Sequence, residues 1–167
     1  KQKGSAAIND AKGLYFINAQ GKDADKPTQI WTQGETESSS CWFPTIDKPN
    51  QKTTQEIYMT VPKQYVTLSN GILKSSENLG ENLRTDHWVM DKKHAPYLFF
   101  MGVGEYAVIK DKWRNIDVDY YVEKEYEPYA KQIFGNTPEM IEFFSKKLNY
   151  DFHWKKYAQI VGRDYVS

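Results

Sequence analysis

Glu56-Ile57-Tyr58-Met59-Thr60-Val61-Pro62 decides the fold class. In an extended chain Ile57, Met59 and Val61 point one way, while Glu56, Tyr58 and Thr60 point the other. That alternation marks a strand with one buried face, and Pro62, which has no N–H for a ladder, ends it. Outward from this stretch, residues 14–122 keep their apolar side chains in short runs and alternations broken by turn residues, the pattern of antiparallel sheet. Asn70-Gly71, between Tyr65-Val66-Thr67-Leu68 and Ile72-Leu73-Lys74, predicts a tight hairpin because both residues readily take positive φ. Residues 83–90, 97–110 and 114–122 are predicted as further strands. In the last, Ile116, Val118, Tyr120 and Val122 alternate with Asn115, Asp117, Asp119 and Tyr121. A β-meander is the simplest arrangement of these elements.

After Glu123 the period becomes helical. Thr137 is a candidate cap, Pro138 suits the first helical position, and Glu139 and Glu142 precede Lys146 and Lys147 in the order that complements a helix dipole. Met140, Ile141, Phe144 and Leu148 share one stripe, which predicts an amphipathic helix over 138–148. A shorter helix is expected over 128–134, ended by Gly135, and residues 156–161 form a final buried strand. The fold class is therefore mainly β with a C-terminal α/β piece. A boundary near Glu123 would divide the chain into 1–122 and 123–167.

Composition narrows the partners. The 167 residues carry 22 Lys+Arg and 22 Asp+Glu, so net charge supplies no pull toward nucleic acid or an anionic membrane surface. No apolar run approaches the ~18 residues needed to span a bilayer. The single cysteine, Cys41, cannot form an internal disulfide and has no metal-ligand spacing around it.

Several apparent motifs dissolve on inspection. Gly102-Val103-Gly104-Glu105-Tyr106-Ala107 has dinucleotide-fingerprint spacing, but it lies within a strand-like run with no helix after it to receive a pyrophosphate. His87, His94 and His153 do not form an HExxH pair, so no metal site and no catalytic residue is expected within this chain. Cys41 has no thiolate-stabilising context and reads as structural.

The run Gln33-Gly34-Glu35-Thr36-Glu37-Ser38-Ser39-Ser40-Cys41-Trp42-Phe43-Pro44-Thr45-Ile46-Asp47-Lys48-Pro49 is different. By residue type alone, Glu35 and Glu37 read as members of a solvated polar loop. Together with Thr54-Gln55-Glu56-Ile57-Tyr58-Met59-Thr60-Val61-Pro62-Lys63 and Thr67-Leu68-Ser69-Asn70-Gly71, however, the run resembles the amino-terminal domain of the zinc aminopeptidases related to aminopeptidase N and leukotriene hydrolase (gluzincin metallopeptidases). That family shows T-Q-x-E, a stretch ending F-P-x-x-D-x-P, a strand closing in V-P-K, and L-S-N-G. Tyr97-Leu98-Phe99-Phe100-Met101-Gly102-Val103-Gly104 is similar to the strand that ends its first domain. Residues 140–150 resemble its first catalytic-domain helix, and Arg163-Asp164-Tyr165-Val166-Ser167 the residues ahead of its G-x-M-E-N signature. The signature itself and HExxH are absent from the chain, and strands that precede Gly13-Leu14-Tyr15-Phe16-Ile17-Asn18 in the family are expected to be missing.

The resemblance implies an antiparallel β-sandwich or saddle-like portion, followed by the first helices and strand of a thermolysin-like catalytic domain cut before the zinc site. It implies that Glu35 matches the acidic residue of Q-x-E that binds the substrate α-amino group, with Gln33 lining the pocket or holding Glu35 in place. An ammonium against a carboxylate in a partly dehydrated cleft is held more firmly than in water and fixes the first carbonyl for attack. Asp47 and Pro49 match D-x-P and read as loop architecture. Ser40, Thr45 and Lys48 stand where the family often has Arg, Cys and Glu, which marks a divergent member. The implied parent is a zinc-dependent aminopeptidase acting on peptides with a free N-terminus. This chain would supply the amine-anchoring wall, hold no zinc of its own, be inactive alone, and partner the rest of the catalytic domain.

Two other readings compete. An aromatic-rich β-sandwich could be a non-catalytic peptide- or carbohydrate-binding module using Trp31, Trp42, Trp88 and Trp113, or the parent could be a relative that binds peptides without hydrolysing them. If early strands are missing, an uncovered sheet edge or face also predicts self-association of the chain.

Overall fold

The computed structural model describes residues 13–165, which form two compact units. One contains residues 13–105 together with 162–165; the other is Tyr106–Val161.

The first unit holds two antiparallel sheets. In the four-stranded sheet, β1 (Gly13–Ile17), β2 (Gln29–Gln33), β7 (Met101–Gly104) and β4 (Val66–Ser69) lie side by side in that order. The three-stranded sheet is ordered β3 (Thr53–Pro62), β6 (Leu83–His94), β5 (Ile72–Leu79). The alternation in 56–61 settles as expected: Met59 and Val61 are buried while Tyr58 and Thr60 are exposed, and Pro62 is the last residue of β3.

The strand order is not a meander. Asn70-Gly71 joins β4 to β5, but β4 pairs with β7 and β5 pairs with β6, so the turn carries the chain from one sheet to the other rather than closing a hairpin. The local signal was sound, since Gly71 has φ +76°, and a Cβ there would come within 1.9 Å of the Val89 carbonyl oxygen. A positive-φ corner serves either purpose; which strand pairs with which is decided by burial of the two faces. The single strand expected over 97–110 also breaks: Pro96–Leu98 is a 3-10 turn, β7 follows, and after Glu105 a new strand begins in the second unit. Gly102 and Gly104 sit in β7 with β2 on one side and β4 on the other, an ordinary sheet position with no helix after it.

Polar side chains join the two sheets. Asp86 on β6, only 2% exposed, accepts hydrogen bonds from Thr67 on β4 (2.6 Å) and Arg84 Nε (3.0 Å). Ser76 on β5 donates to the same carboxylate, and Trp88 Nε1 donates to Thr67 Oγ1 at 3.0 Å. Burial alone would raise the Asp86 carboxyl, but the Arg84, Ser76 and Thr67 bonds outweigh it and hold the group below the usual carboxylate range. A second link runs from His94 through Gln55 to Ser69, whose hydroxyl donates to the Phe100 carbonyl at 2.6 Å.

In the second unit β8 (Tyr106–Trp113) and β9 (Ile116–Glu123) form an antiparallel hairpin, and β10 (Lys156–Ile160) lies parallel to β9 on its other side. A parallel neighbour needs a crossover, and the helical segment supplies it: a 3-10 stretch Lys124–Tyr129, then α1 (Ala130–Phe134) and α2 (Thr137–Leu148). Trp113, Val118, Tyr120 and Ile141 form the core, with Phe134, Phe152 and Tyr157 packed around it. Glu123 ends β9 inside this unit, so the change of texture there is a change of secondary structure within one compact body.

Details of the helices differ from expectation. Asn136, not Thr137, occupies the cap position of α2; the Thr137 hydroxyl instead donates backwards to the Phe134 carbonyl at 2.7 Å. The left-handed terminus belongs to Asn149 at φ 49°, whereas Gly135 stays in the right-handed region. Of the expected apolar stripe only Ile141 is buried. Met140, Phe143, Phe144 and Leu148 are all more than half exposed. Residues 156–160 are half-buried rather than fully enclosed.

Candidate functional site

β2 delivers the site. Its alternation puts Gln29, Trp31 and Gln33 on one side of the strand, and each of the three grips the segment 162–165. Gln29 Oε1 accepts from Arg163 N (2.9 Å), Trp31 Nε1 donates to the Arg163 carbonyl (3.1 Å), and Gln33 Nε2 donates to the Tyr165 hydroxyl (3.2 Å). Tyr15 stacks on Trp31 at 3.9 Å between ring centroids, Tyr165 lies tilted against it at 5.6 Å, and Lys26 pairs with Asp164 at 2.9 Å.

Beyond Gln33 the chain turns sharply. A Cβ on Gly34 would lie 2.3 Å from Ser39 Oγ and 2.6 Å from the Tyr97 carbonyl oxygen, so only glycine fits. Ser38 N donates to the Gly34 carbonyl (2.8 Å), and Ser39 Oγ, fully buried, donates to the Pro96 carbonyl (2.7 Å). A 3-10 turn, Ser39–Cys41, follows. Farther along, Asp47 Oδ2 accepts from Ser40 N at 2.9 Å and closes the loop, and Phe43 stacks on Phe99 at 5.0 Å. The loop is thus fixed at both ends, while Glu35, Thr36 and Glu37 face solvent between them.

Gln33 and Glu35 are brought together. Gln33 Oε1 accepts from the Glu35 backbone N–H at 2.9 Å, and the Glu35–Thr36 peptide is cis. With Gln33 Oε1 taking the Glu35 N–H, the amide's Nε2 is the group that faces Tyr165. Glu37 is occupied elsewhere, in an exposed ion pair with Lys48 at 2.7 Å. Tyr165 is the residue that sequence reasoning missed. Its neighbourhood is marked by the resemblance of residues 163–167 to the stretch ahead of the family's G-x-M-E-N signature, but neither that nor the spacing of Gln29, Trp31 and Gln33 on β2 pairs Tyr165 with Gln33, 132 positions away.

The tryptophans offered as a carbohydrate platform do not form one. Trp31, Trp88 and Trp113 are 5% exposed or less, and Trp42 is half-buried with its ring edge-on to Phe43. The described residues also give zinc no place. No three His, Cys, Asp or Glu side chains cluster among them; His87 faces Glu56 at 3.2 Å, and His94 faces Gln55 at the same distance. What the arrangement offers is an exposed carboxylate on a loop whose backbone is held from both sides.

An antiparallel β unit that presents such an acidic loop, followed by a smaller α/β unit, is the architecture these residues define. The family model of the peptidase M1 N-terminal domain matches residues 5–98, more than half of the chain, and the chain belongs to that family. It is 32% identical over 114 residues to tricorn protease-interacting factor F2 of Thermoplasma acidophilum, covering 68% of this chain and 14% of that protein. It is 26% identical over 124 residues to glutamyl aminopeptidase of Mus musculus, covering 74% of this chain and 13% of the relative. It is also 24% identical over 159 residues to transcription initiation factor TFIID subunit 2 of Danio rerio, covering 93% of this chain and 13% of that subunit. The chain thus spans about an eighth to a seventh of the length of these relatives.

Proposed function

We propose that this chain is the substrate-anchoring part of a larger zinc-dependent aminopeptidase, and that Glu35 binds the free α-amino group of a peptide whose first residue is removed. The observation that carries the reading is the pairing of an exposed Glu35 carboxylate with a backbone fixed by Gln33 and by the crowding around Gly34. A loop backbone that need not be ordered when substrate arrives lowers the entropy lost as its carboxylate binds an ammonium. The similarity to a glutamyl aminopeptidase supports the reaction class. On this reading the first unit belongs to the family's β-domain and the second, residues 106–161, opens its catalytic domain, so the division expected at 122/123 moves to the start of β8. The metal, its ligands and the base that activates water come from the rest of the parent. Bound there, zinc would supply the polarisation and the activated water of peptide hydrolysis.

The similarity to TFIID subunit 2 favours one second reading, a family member that binds without hydrolysing. Aminopeptidase assays with added zinc separate the two. We expect no turnover of leucine p-nitroanilide by the 167-residue chain and robust turnover by the longer protein that carries it. Turnover by the chain alone overturns the division of labour proposed here, and an inert full-length protein favours the second reading.

A further inference from the structure

We infer that Tyr165 is a positioning residue for amine recognition, acting through Gln33 on the backbone of Glu35. This rests on the amine-anchoring reading of Glu35 and adds to it the part of the chain that holds the anchor.

The Gln33 side chain has one carbonyl oxygen and one NH2, and both are engaged. The oxygen takes the Glu35 N–H at 2.9 Å, and the nitrogen gives a hydrogen to the Tyr165 hydroxyl at 3.2 Å. Without Tyr165 the amide could swing about its last side-chain torsion, and its grip on the Glu35 N–H would become intermittent. With Tyr165 in place the amide is a strut between two points. The far point is itself fixed, because Arg163 is bonded through its N–H to Gln29 and through its carbonyl to Trp31, and the Lys26–Asp164 ion pair flanks it. Gly162 lies against the Trp31 indole, where a Cβ would come within 3.3 Å of Nε1. Segment 162–165 is thus laid along β2 side chain by side chain, at positions i, i+2 and i+4 of one strand face, and its last contact reaches the residue that holds Glu35.

The Tyr165 ring also packs on Trp31, which Tyr15 covers from another direction. This separates the two contributions of the residue. Tyr165→Phe keeps the ring and removes only the hydroxyl, so its effect on folding is small. The strut alone is lost.

The test uses the 167-residue chain, labelled with nitrogen-15. In the free chain, Tyr165→Phe is expected to shift the Gln33 side-chain NH2 resonances and to speed exchange of the Glu35 amide about tenfold, with the melting temperature within a few degrees of wild type. Recognition is then read in the longer protein that completes the cleft, by titration with leucinamide against N-acetyl-leucinamide as the amine-blocked control. Wild type is expected to prefer leucinamide, and Tyr165→Phe to reduce that preference three- to tenfold. Glu35→Gln is expected to abolish it. If Glu35 exchange and the Gln33 resonances are unchanged in Tyr165→Phe, the positioning role is overturned. The same holds if amine preference is intact in Tyr165→Phe while Glu35→Gln removes it. If wild type shows no preference for the free amine, the anchoring reading fails, and the inference that rests on it fails with it. In that case altered Glu35 exchange in Tyr165→Phe still shows that the strut exists, so the two failures are distinguishable.

Discussion

Thr67 and Asp86 meet at 2.6 Å across the gap between the two sheets of the first unit, and the same Thr67 oxygen receives the Trp88 indole N–H at 3.0 Å. One hydroxyl serves as donor to β6 and acceptor from β6, in a place where Thr67 is 4%, Asp86 2% and Trp88 4% exposed. Thr67→Val keeps the shape and removes both bonds. It leaves a buried carboxylate oxygen with fewer donors and a buried indole N–H without its acceptor, each a loss on the order of 1–3 kcal/mol. We expect destabilisation of about 2–4 kcal/mol, read as a lower urea midpoint in tryptophan fluorescence. A variant within 0.5 kcal/mol of wild type, a rough limit for surface changes, would show that the link is dispensable.

Acid should weaken this unit in two stages. Burial pushes the His94 imidazole below its ordinary value of 6.5, against the pull of the Lys92 carbonyl. Below that pH the unfolded chain takes up a proton that the native chain resists, so stability falls as pH drops through the ordinary histidine range. Asp86 is held below the ordinary 3.8, so its contribution is present above that value and is lost as pH falls through its native pKa. Melting temperatures measured from pH 8 to pH 3 should decline first near pH 6 and again below pH 4. His94→Gln should flatten the first decline and leave the second.

Gly34 is the steric pivot of the loop that carries Glu35. Gly34→Ala drives a methyl into Ser39 Oγ and the Tyr97 carbonyl, and backbone cannot yield as a flexible side chain can. We expect a loss on the order of 1–3 kcal/mol from overpacking, with amide shifts concentrated in residues 33–41. Unchanged shifts there would mean that the crowding is relieved at no cost.

Met140, Phe143, Phe144 and Leu148 leave α2 with an exposed apolar face. On the isolated chain this face should drive concentration-dependent self-association, because an exposed patch of this kind lowers its free energy by burial. Light scattering is expected to show species above 19.5 kDa at high concentration, and Phe144→Lys with Leu148→Lys to restore the monomer. A wild-type chain that stays monomeric at millimolar concentration contradicts this.

The sequence made some of this legible and hid the rest for physical reasons. The alternation of 56–61 and the helical period of 138–148 are local, so the elements appear where their side-chain periods put them. Strand neighbours are not local. Nothing near Asn70-Gly71 says that β4 will pair with β7, and the same dipeptide would serve a hairpin or a change of sheet equally well. The face of a helix is legible, but its covering is not: the stripe on α2 was visible as a stripe, and only the packing shows that Ile141 alone turns inward. At the candidate site, Gln33 and Glu35 came from a motif, while Tyr165 depends on a return of the chain to β2 that no local pattern encodes.

The central claim is that Glu35 holds the substrate amine, and the most direct measurement is the effect of Glu35→Gln on kcat/KM of the full-length parent for leucine p-nitroanilide. Gln keeps the shape and hydrogen-bonding reach of Glu35 but not its charge. Loss of a charge-assisted bond of roughly 1.5–3 kcal/mol predicts a fall of about 10- to 100-fold, with zinc content unchanged. A variant whose kcat/KM stays within about twofold of wild type would remove Glu35 from the site and contradict the account.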